Sequence, residues 1–178
     1  MSNNGHLSKS EWVSQIFEQR EGSLMRYATW LTGDAEQARD VVQDTFLRLC
    51  AEDPAEVQRY VVEWLFTVCR HRAVDICRKE NRMKPLTELE IASQTSDEPS
   101  PAAAIEVADA ANHVQHALQG LPANQQEVVR LKFQCGLSYK EISHVTNLTV
   151  TNVGFLLHSA LKTLRRELRA EFGLNKTQ

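Results

Sequence analysis

Apolar side chains recur every three to four residues along most of the chain, which is the spacing of one face of an α-helix. Two stretches show this spacing best, residues 34–50 and residues 136–169. In the first, the positions expected to face a core are Ala38, Val41, Val42, Thr45, Phe46 and Leu49. In the second, they are Val153, Leu156, Leu157, Ala160, Leu161 and Leu164. The pattern predicts an all-α protein.

The stretch 136–169 carries the signals of a helix-turn-helix. Ser138 and Glu141 form a capping box that predicts a helix start. Asn147 suits a tight turn, because Asn tolerates a left-handed backbone, and Thr149 can cap a second helix. A short helix, a turn and a longer helix with a basic end predict a DNA-binding helix-turn-helix, although an αα-hairpin in a helical bundle has the same pattern.

Further helices are expected on both sides of this motif. An amphipathic segment that contains Trp12 should end at Gly33, with Asp34 capping the helix that follows. The sequence Glu52-Asp53-Pro54 breaks the pattern, and a third helical run should extend from about Val57 to Arg82. Later in the chain we expect a helix over residues 108–121, a turn over 121–125, and a helix whose buried side chains are Val128, Val129, Leu131 and Phe133.

Residues 85–108 interrupt the helical pattern. They contain no Lys or Arg, three prolines, and a bias towards Ser, Thr, Asp and Glu, which is the composition of a linker. The sequence therefore predicts two small helical domains joined by a flexible acidic linker. The predicted boundaries are residues 11–84, 85–108 and 109–172.

The net charge of −3 hides an uneven distribution. Residues 1–84 carry 12 Lys or Arg and 13 Asp or Glu, residues 85–108 carry none and 5, and residues 109–178 carry 8 and 5. The balances are −1, −5 and +3, so the positive charge is local and the linker is acidic.

Basic side chains cluster between residues 70 and 84, with His71 among them and Tyr60, Trp64 and Phe66 nearby. Cations that hold phosphates and aromatic rings that stack on bases form single-strand binding surfaces. Taken alone, the cluster is better explained as a solvated basic helix end, which favours the helix dipole.

The sequence contains no catalytic or cofactor motif. It has no glycine-rich phosphate-binding loop, no G-x-S-x-G motif of serine hydrolases and no H-E-x-x-H motif of zinc peptidases. Asp40 and Asp44 are one helical turn apart, but an exposed or partner-binding face explains them better than catalysis. Cys50, Cys69, Cys77 and Cys135 lack C-x-x-C spacing and are expected to be reduced thiols. We expect no metal and no cofactor.

The chain lacks a run of about 18 apolar residues, and its first residues lack the pattern of a signal peptide. These features predict a cytoplasmic protein without membrane insertion.

Two stretches together resemble the extracytoplasmic-function (ECF) sigma factors of bacterial RNA polymerase. Their promoter-melting domain is similar to GDAEQARDVVQDTFLRL (33–49) followed by EWLFTVCRHRAVDICRKENR (63–82). Their promoter-reading domain is similar to LPANQQEVVRLKFQCGLSYKEISHVTNLTVTNVGFLLHSALKTLRREL (121–168). Both signatures occur in the family's order, with a short acidic segment between them.

The resemblance implies a factor that directs core polymerase to promoters, recognises the −10 and −35 elements and melts DNA. The implied polymerase-binding residues, facing the β′ clamp helices, are Asp40, Val41, Gln43, Asp44, Phe46 and Arg48. Those implied for the −10 side are Tyr60, His71, Arg72, Arg78, Lys79 and Arg82. Those implied for the −35 side are Lys140, Thr151, Asn152, His158, Ser159, Lys162, Arg165 and Arg166. The β flap of polymerase is a further implied partner.

The chain departs from the family in two places. Where its members usually have Lys or Arg, then Ser, then Arg in the recognition helix, this chain has Gly154, Phe155 and Leu156. Fewer cations mean fewer phosphate contacts, so we expect weak binding to the upstream element without polymerase. Thr67 replaces a usual long side chain. We interpret it as a structural residue, with a phosphorylation site for a Ser/Thr kinase as the alternative.

A stand-alone regulator is the competing class, with the helix-turn-helix on an operator and the N-terminal bundle sensing a ligand or dimerising. It predicts a palindromic site and a stable dimer. A purely protein-binding adaptor explains neither the basic cluster nor the helix-turn-helix, and an enzyme is the least supported class. An anti-sigma factor or a kinase is the expected regulatory partner.

Overall fold

The computed structural model describes residues 8–83 and 112–171, and within these two stretches all regular structure is helical. The chain divides into two compact units, which confirms the predicted all-α class with two helical domains. The predicted linker, residues 85–108, lies outside the described residues. The domain boundaries therefore stay predictions.

The first unit contains four helices around an apolar core. They are α1 (Lys9–Thr32), α2 (Ala35–Ala51), α3 (Pro54–Val57) and α4 (Val61–Met83). Helices α1, α2 and α4 pack against one another. The six inward positions predicted for α2 are all buried. At the centre, the ring of Tyr27 lies 5.6 Å from that of Phe66, and both side chains are buried.

Local side-chain bonds fix the ends of these helices. Ser8 and Glu11 form a capping box on α1, and their hydrogen bonds lower the pKa of the Glu11 carboxyl. Gly33 ends α1 with a φ of 71°, a left-handed conformation that glycine adopts without strain. The Asp34 carboxylate then accepts the backbone N–H of Gln37 at 2.8 Å. The predicted stop at Gly33 and cap at Asp34 are confirmed.

The third helix was predicted in one piece from about Val57, and this prediction was wrong. Asp53 caps the separate short helix α3, with Pro54 in its first turn, and α4 begins only at Val61. A turn over residues 58–60 separates the two helices. It leaves Tyr60 on the surface, 42% exposed.

The second unit contains α5 (residues 112–119), α6 (Ala123–Val129), α7 (Tyr139–Thr146) and α8 (Val150–Glu171). A π-helical turn, Arg130–Gln134, extends α6. The core side chains include Val128, Leu131, Leu137, Ile142, Val153 and Leu157. Arg130 is also buried, which lowers the pKa of its guanidinium, and its Nη1 donates to Oε1 of Gln134 at 3.3 Å.

The helix-turn-helix is present with the predicted capping bonds. The N–H of Ser138 donates to Oε2 of Glu141 at 2.7 Å, and the N–H of Glu141 donates back to Oγ of Ser138 at 3.2 Å. Asn147 has a φ of 57°, as expected for the turn. Thr149 caps α8 by accepting the N–H of Asn152 at 3.2 Å.

Two burial predictions in this unit were wrong. Phe133 is 60% exposed because it lies in the π-helical turn, where the wider winding moves side chains off the 3.6-residue period. Leu161 is 40% exposed because it lies at the border of the apolar stripe of α8. Among the described residues, every helix is too short or too polar to cross a bilayer.

Candidate functional site

The outer face of α2 carries four of the six residues implied for polymerase binding. Asp40, Gln43 and Arg48 are exposed, and Asp44 is partly exposed. Val41 is fully buried and Phe46 nearly so, with the Phe46 ring 4.8 Å from that of Phe17. In this structure Val41 and Phe46 hold the helix in place, and the polar residues form the surface.

Leu47 lies on this outer face and was not predicted as part of it. Its side chain is 62% exposed, and it lies one helical turn from Gln43 and Asp44 and two turns from Asp40 on the same face. The sequence contained a signal, since Leu47 falls off the buried stripe of α2. A single exposed leucine needs no explanation by itself, but an apolar side chain with polar ones around it matches the apolar core and polar rim of a protein interface.

Asp44 connects the outer face of α2 with α4. Its Oδ2 lies 3.2 Å from Nη2 of Arg48 and 3.4 Å from Nε of Arg72. Asp44 Oδ2 and Arg72 Nε are both shielded from solvent but are not aligned as a hydrogen bond. Their interaction is therefore mainly electrostatic. It brings together a residue implied for polymerase and one implied for melted DNA, and it orients the Arg72 guanidinium.

The surface of α4 presents most of the other residues implied for the −10 side. His71, Arg78 and Lys79 are exposed, whereas the side chain of Arg82 lies outside the described residues. Asp75 is exposed beside them and reduces the local positive charge. Phe66 cannot stack on bases, because it is buried against Tyr27.

Thr67 is half-buried on α4. Its Oγ1 donates to the carbonyl oxygen of Glu63 at 2.7 Å, a bond that helical threonines commonly make to the preceding turn. This contact agrees with the structural interpretation. Phosphorylation of Thr67 stays a prediction.

One face of α8 presents the residues implied for the −35 side. Thr151, Asn152, His158, Lys162 and Arg165 are exposed. Ser159 is half-buried, and its Oγ accepts a hydrogen bond from Nε2 of Gln125 at 3.5 Å. Lys140 is exposed on α7, and Arg166 pairs with the adjacent Glu167 at 2.9 Å. The sequence between Glu141 and Glu167 contains no carboxylate, so this face is positive.

The three positions that depart from the family have different environments. A Cβ on Gly154 would lie 3.7 Å from Cε2 of Tyr139, so the glycine faces an aromatic ring. Lys132 lies over this ring, with its Nζ 5.4 Å from the centroid. Leu156 is buried and belongs to the core, whereas Phe155 is 67% exposed. Of the three departures, only Phe155 places a large side chain on the surface.

Within the described ranges, no group of three or more His, Cys, Asp or Glu side chains could hold a metal ion. The four cysteines are free thiols. Cys69 and Cys135 are buried, Cys77 is half-buried and Cys50 is exposed.

Two models of protein families match the chain, one for each unit. Sigma-70 region 2 matches residues 16–83, and sigma-70 region 4 matches residues 112–164. The ECF RNA polymerase sigma factor SigL of Mycobacterium tuberculosis is 31% identical over 165 residues, which cover 90% of each chain. SigM of Bacillus subtilis, with the same description, is 27% identical over 154 residues, 86% of this chain and 93% of its own.

Two solved structures share this helical fold. CnrH, solved in complex with the cytosolic domain of CnrY, has a TM-score of 0.57 and 25% identity and covers 89% of this chain and 88% of its own. The sigma factor RpoE of Bartonella quintana, solved with the anti-sigma factor NepR, has a TM-score of 0.65 and 20% identity. The match covers 90% of this chain and 98% of RpoE. On the sequence matches over both units, the chain belongs to the ECF sigma factors of the sigma-70 family.

Proposed function

We propose that this sigma factor binds core RNA polymerase through the outer face of α2, melted DNA through α4, and the upstream promoter element through α8. The observation that carries the proposal is the match of a region 2 model and a region 4 model to the two units of one chain. A stand-alone regulator gains no support from these matches. The protein would act in the cytoplasm, as a non-enzymatic initiation factor.

The α2 face has the anatomy of a protein interface. Leu47 supplies an exposed apolar centre, and Asp40, Gln43 and Arg48 supply a polar rim. A few residues near the centre of an interface commonly carry most of the binding energy. We place the β′ clamp helices of polymerase on this face.

The α4 face suits a single strand better than a duplex. His71, Arg78 and Lys79 provide cationic or polar contacts to phosphates, and the exposed Tyr60 ring provides a surface on which an unpaired base can stack. The ion pair with Asp44 restrains the guanidinium of Arg72. Preorganised cations lose less side-chain entropy on binding.

On the upstream side, α8 would lie in the major groove. Asn152 and Thr151 occupy its first turn, the part of a recognition helix that contacts base edges. Lys140, Lys162 and Arg165 would contact phosphates. Since Gly154 and Leu156 replace the family's cations, the free protein should hold this element weakly and depend on polymerase for affinity.

An anti-sigma factor is the regulatory partner that we propose. RpoE is solved with the anti-sigma factor NepR, and CnrH with the cytosolic domain of CnrY. A protein that covers the α2 face would block polymerase directly. A kinase that acts on Thr67 is the alternative.

The two modes of control differ in what happens at Thr67. Mass spectrometry of protein from its native cell should find Thr67 unmodified, and Thr67→Ala and Thr67→Asp should bind polymerase equally. Modified Thr67, together with a difference between the two variants, would establish the kinase alternative.

Run-off transcription tests the function directly. Core polymerase with this protein should yield products from members of a promoter library, and core polymerase alone should yield none. Absence of any product would contradict initiation activity. A palindromic binding site and a stable dimer in the absence of polymerase would instead indicate the stand-alone regulator.

A further inference from the structure

Phe155 is the most exposed large apolar side chain of the described residues. Its exposed fraction is 67%, whereas its neighbours Leu156 and Leu157 are buried in the core of the second unit. An isolated surface phenylalanine needs no functional explanation by itself. Its position on α8 provides one.

Phe155 lies at the middle of the face that is proposed to read DNA. At 3.6 residues per turn, Thr151, Asn152, His158 and Lys162 all project within about 60° of its direction. These neighbours are hydrogen-bonding or cationic, and no carboxylate occurs between Glu141 and Glu167. An apolar ring inside an acid-free polar face fits DNA better than an acidic or apolar protein surface.

The helix also holds Phe155 in a defined direction. Val153 and Leu157, on the opposite side of α8, are buried and fix its rotation. Gly154 lies against the ring of Tyr139, which occupies the adjacent side of α8. The Phe155 ring therefore projects outward from a helix whose other sides are packed.

The major groove offers one apolar group to such a ring. Guanine, cytosine and adenine present donors and acceptors there, and only thymine presents a methyl group. Contact between the ring and this methyl removes apolar surface from water without leaving a polar group unpaired.

We propose that Phe155 determines promoter specificity by selecting a thymine in the upstream element through its 5-methyl group. The inference rests on the proposed DNA-reading role of α8. It turns a position at which the chain departs from its family into the source of its own sequence preference.

The test removes only the methyl group. Complexes of the full chain with core polymerase first select upstream sequences from a randomised promoter library. Each thymine of the selected element is then replaced by uracil, and promoter binding is measured. We expect uracil at one or two positions to weaken binding about fourfold, the factor for burial of one methyl group.

The matched variant is Phe155→Ser, because serine is the usual family residue there and the exposed site should tolerate it. This variant should bind thymine and uracil promoters equally. Lys162→Ala serves as the contrast, since it should weaken both promoters alike and keep the uracil effect.

Several outcomes overturn the inference. The methyl contact is excluded if the unmodified protein binds thymine and uracil promoters equally. It is also excluded if Phe155→Ser still binds uracil promoters more weakly. Loss of polymerase binding by Phe155→Ser would show that the ring contacts protein. If no library member is bound or transcribed, the proposed function itself fails, whereas a selected element that is insensitive to uracil refutes only the role of Phe155.

Discussion

The outer face of α2 and the reading face of α8 use charge in opposite ways. On α2, Asp44 lies between Arg48 and Arg72, so part of the charge is used within the unit. On α8, the 25 residues between Glu141 and Glu167 contain no carboxylate. Arg166 pairs with Glu167 at the end of this stretch, whereas Lys162 has no acidic neighbour along it and remains for phosphates.

Because of this difference, the two faces should respond differently to substitutions. A residue of the first face is coupled to its partners, so its replacement alters their geometry as well as its own contact. A cation of the second face acts as a separate phosphate contact, so its loss should weaken all DNA sequences by a similar factor. Both faces carry an exposed apolar residue near the centre, Leu47 on α2 and Phe155 on α8.

The largest effect is expected from Leu47→Asp. A carboxylate at the centre of the α2 face should weaken binding to core polymerase at least about tenfold, equal to ~1.4 kcal/mol. Since Leu47 is 62% exposed, the stability of the first unit should change by less than about 0.5 kcal/mol. Fluorescence binding titrations with core polymerase measure the first quantity.

Ala35→Asp is the control for this change, because Ala35 is exposed at the start of the same helix and projects about 120° away. It should leave polymerase affinity unchanged. Equal affinity of Leu47→Asp and the unmodified protein would show that the polymerase interface lies elsewhere.

Lys162→Ala should lower promoter affinity of the polymerase complex about fivefold near 0.15 M salt, the value for loss of one phosphate contact. The slope of log affinity against log salt should become shallower by about 0.9. Titrations over a range of salt concentrations measure both. A loss confined to some promoter sequences would mean that Lys162 reads bases.

The coupling on the first face can be measured with a double-mutant cycle of Asp44→Asn and Arg72→Gln. We expect an interaction of about 0.5–1 kcal/mol in the free energy of unfolding, because the pair is partly exposed and solvent screens it. Trp12, Trp30 and Trp64, the three tryptophans of the chain, all lie in the first unit, so tryptophan fluorescence reports its unfolding alone.

The same cycle with Arg48→Gln in place of Arg72→Gln provides the comparison. The Arg48 side chain is 54% exposed against 36% for Arg72, so its coupling to Asp44 should be smaller. A larger value for Arg48 would contradict the expectation that the less exposed arginine couples more strongly to Asp44.

A small effect of the opposite sign, a gain in stability, is expected from Gly154→Ala. The added methyl would lie at ordinary contact distance, 3.7 Å, from the Tyr139 ring, and alanine favours a helix interior over glycine. The second unit should gain about 0.5–1 kcal/mol, seen as a later unfolding transition in calorimetry. As a control, tryptophan fluorescence should show unchanged stability of the first unit. Destabilisation of the second unit would show that the Tyr139 ring cannot accommodate the methyl group.

Local chemistry made the helices and their ends predictable from the sequence. The capping box of Ser138 and Glu141, the left-handed Asn147 and the stop at Gly33 each depend on residues close in sequence, and all three are present. The buried stripe of α2 was likewise predictable, because one helix period determines which residues share a face. The family could be recognised because two such local patterns occur in one order.

Contacts between helices were not predictable in this way. Asp44 and Arg72 are 28 positions apart, and only the packing of α2 against α4 brings them to 3.4 Å. The exposure of Phe133 depends on a π-helical turn that has no marker in the sequence that we recognised. The helices, their caps and the family thus follow from residues that are close in sequence. Which charges pair and which apolar side chains remain exposed depends on the tertiary structure, because both are set by how the helices are rotated against each other.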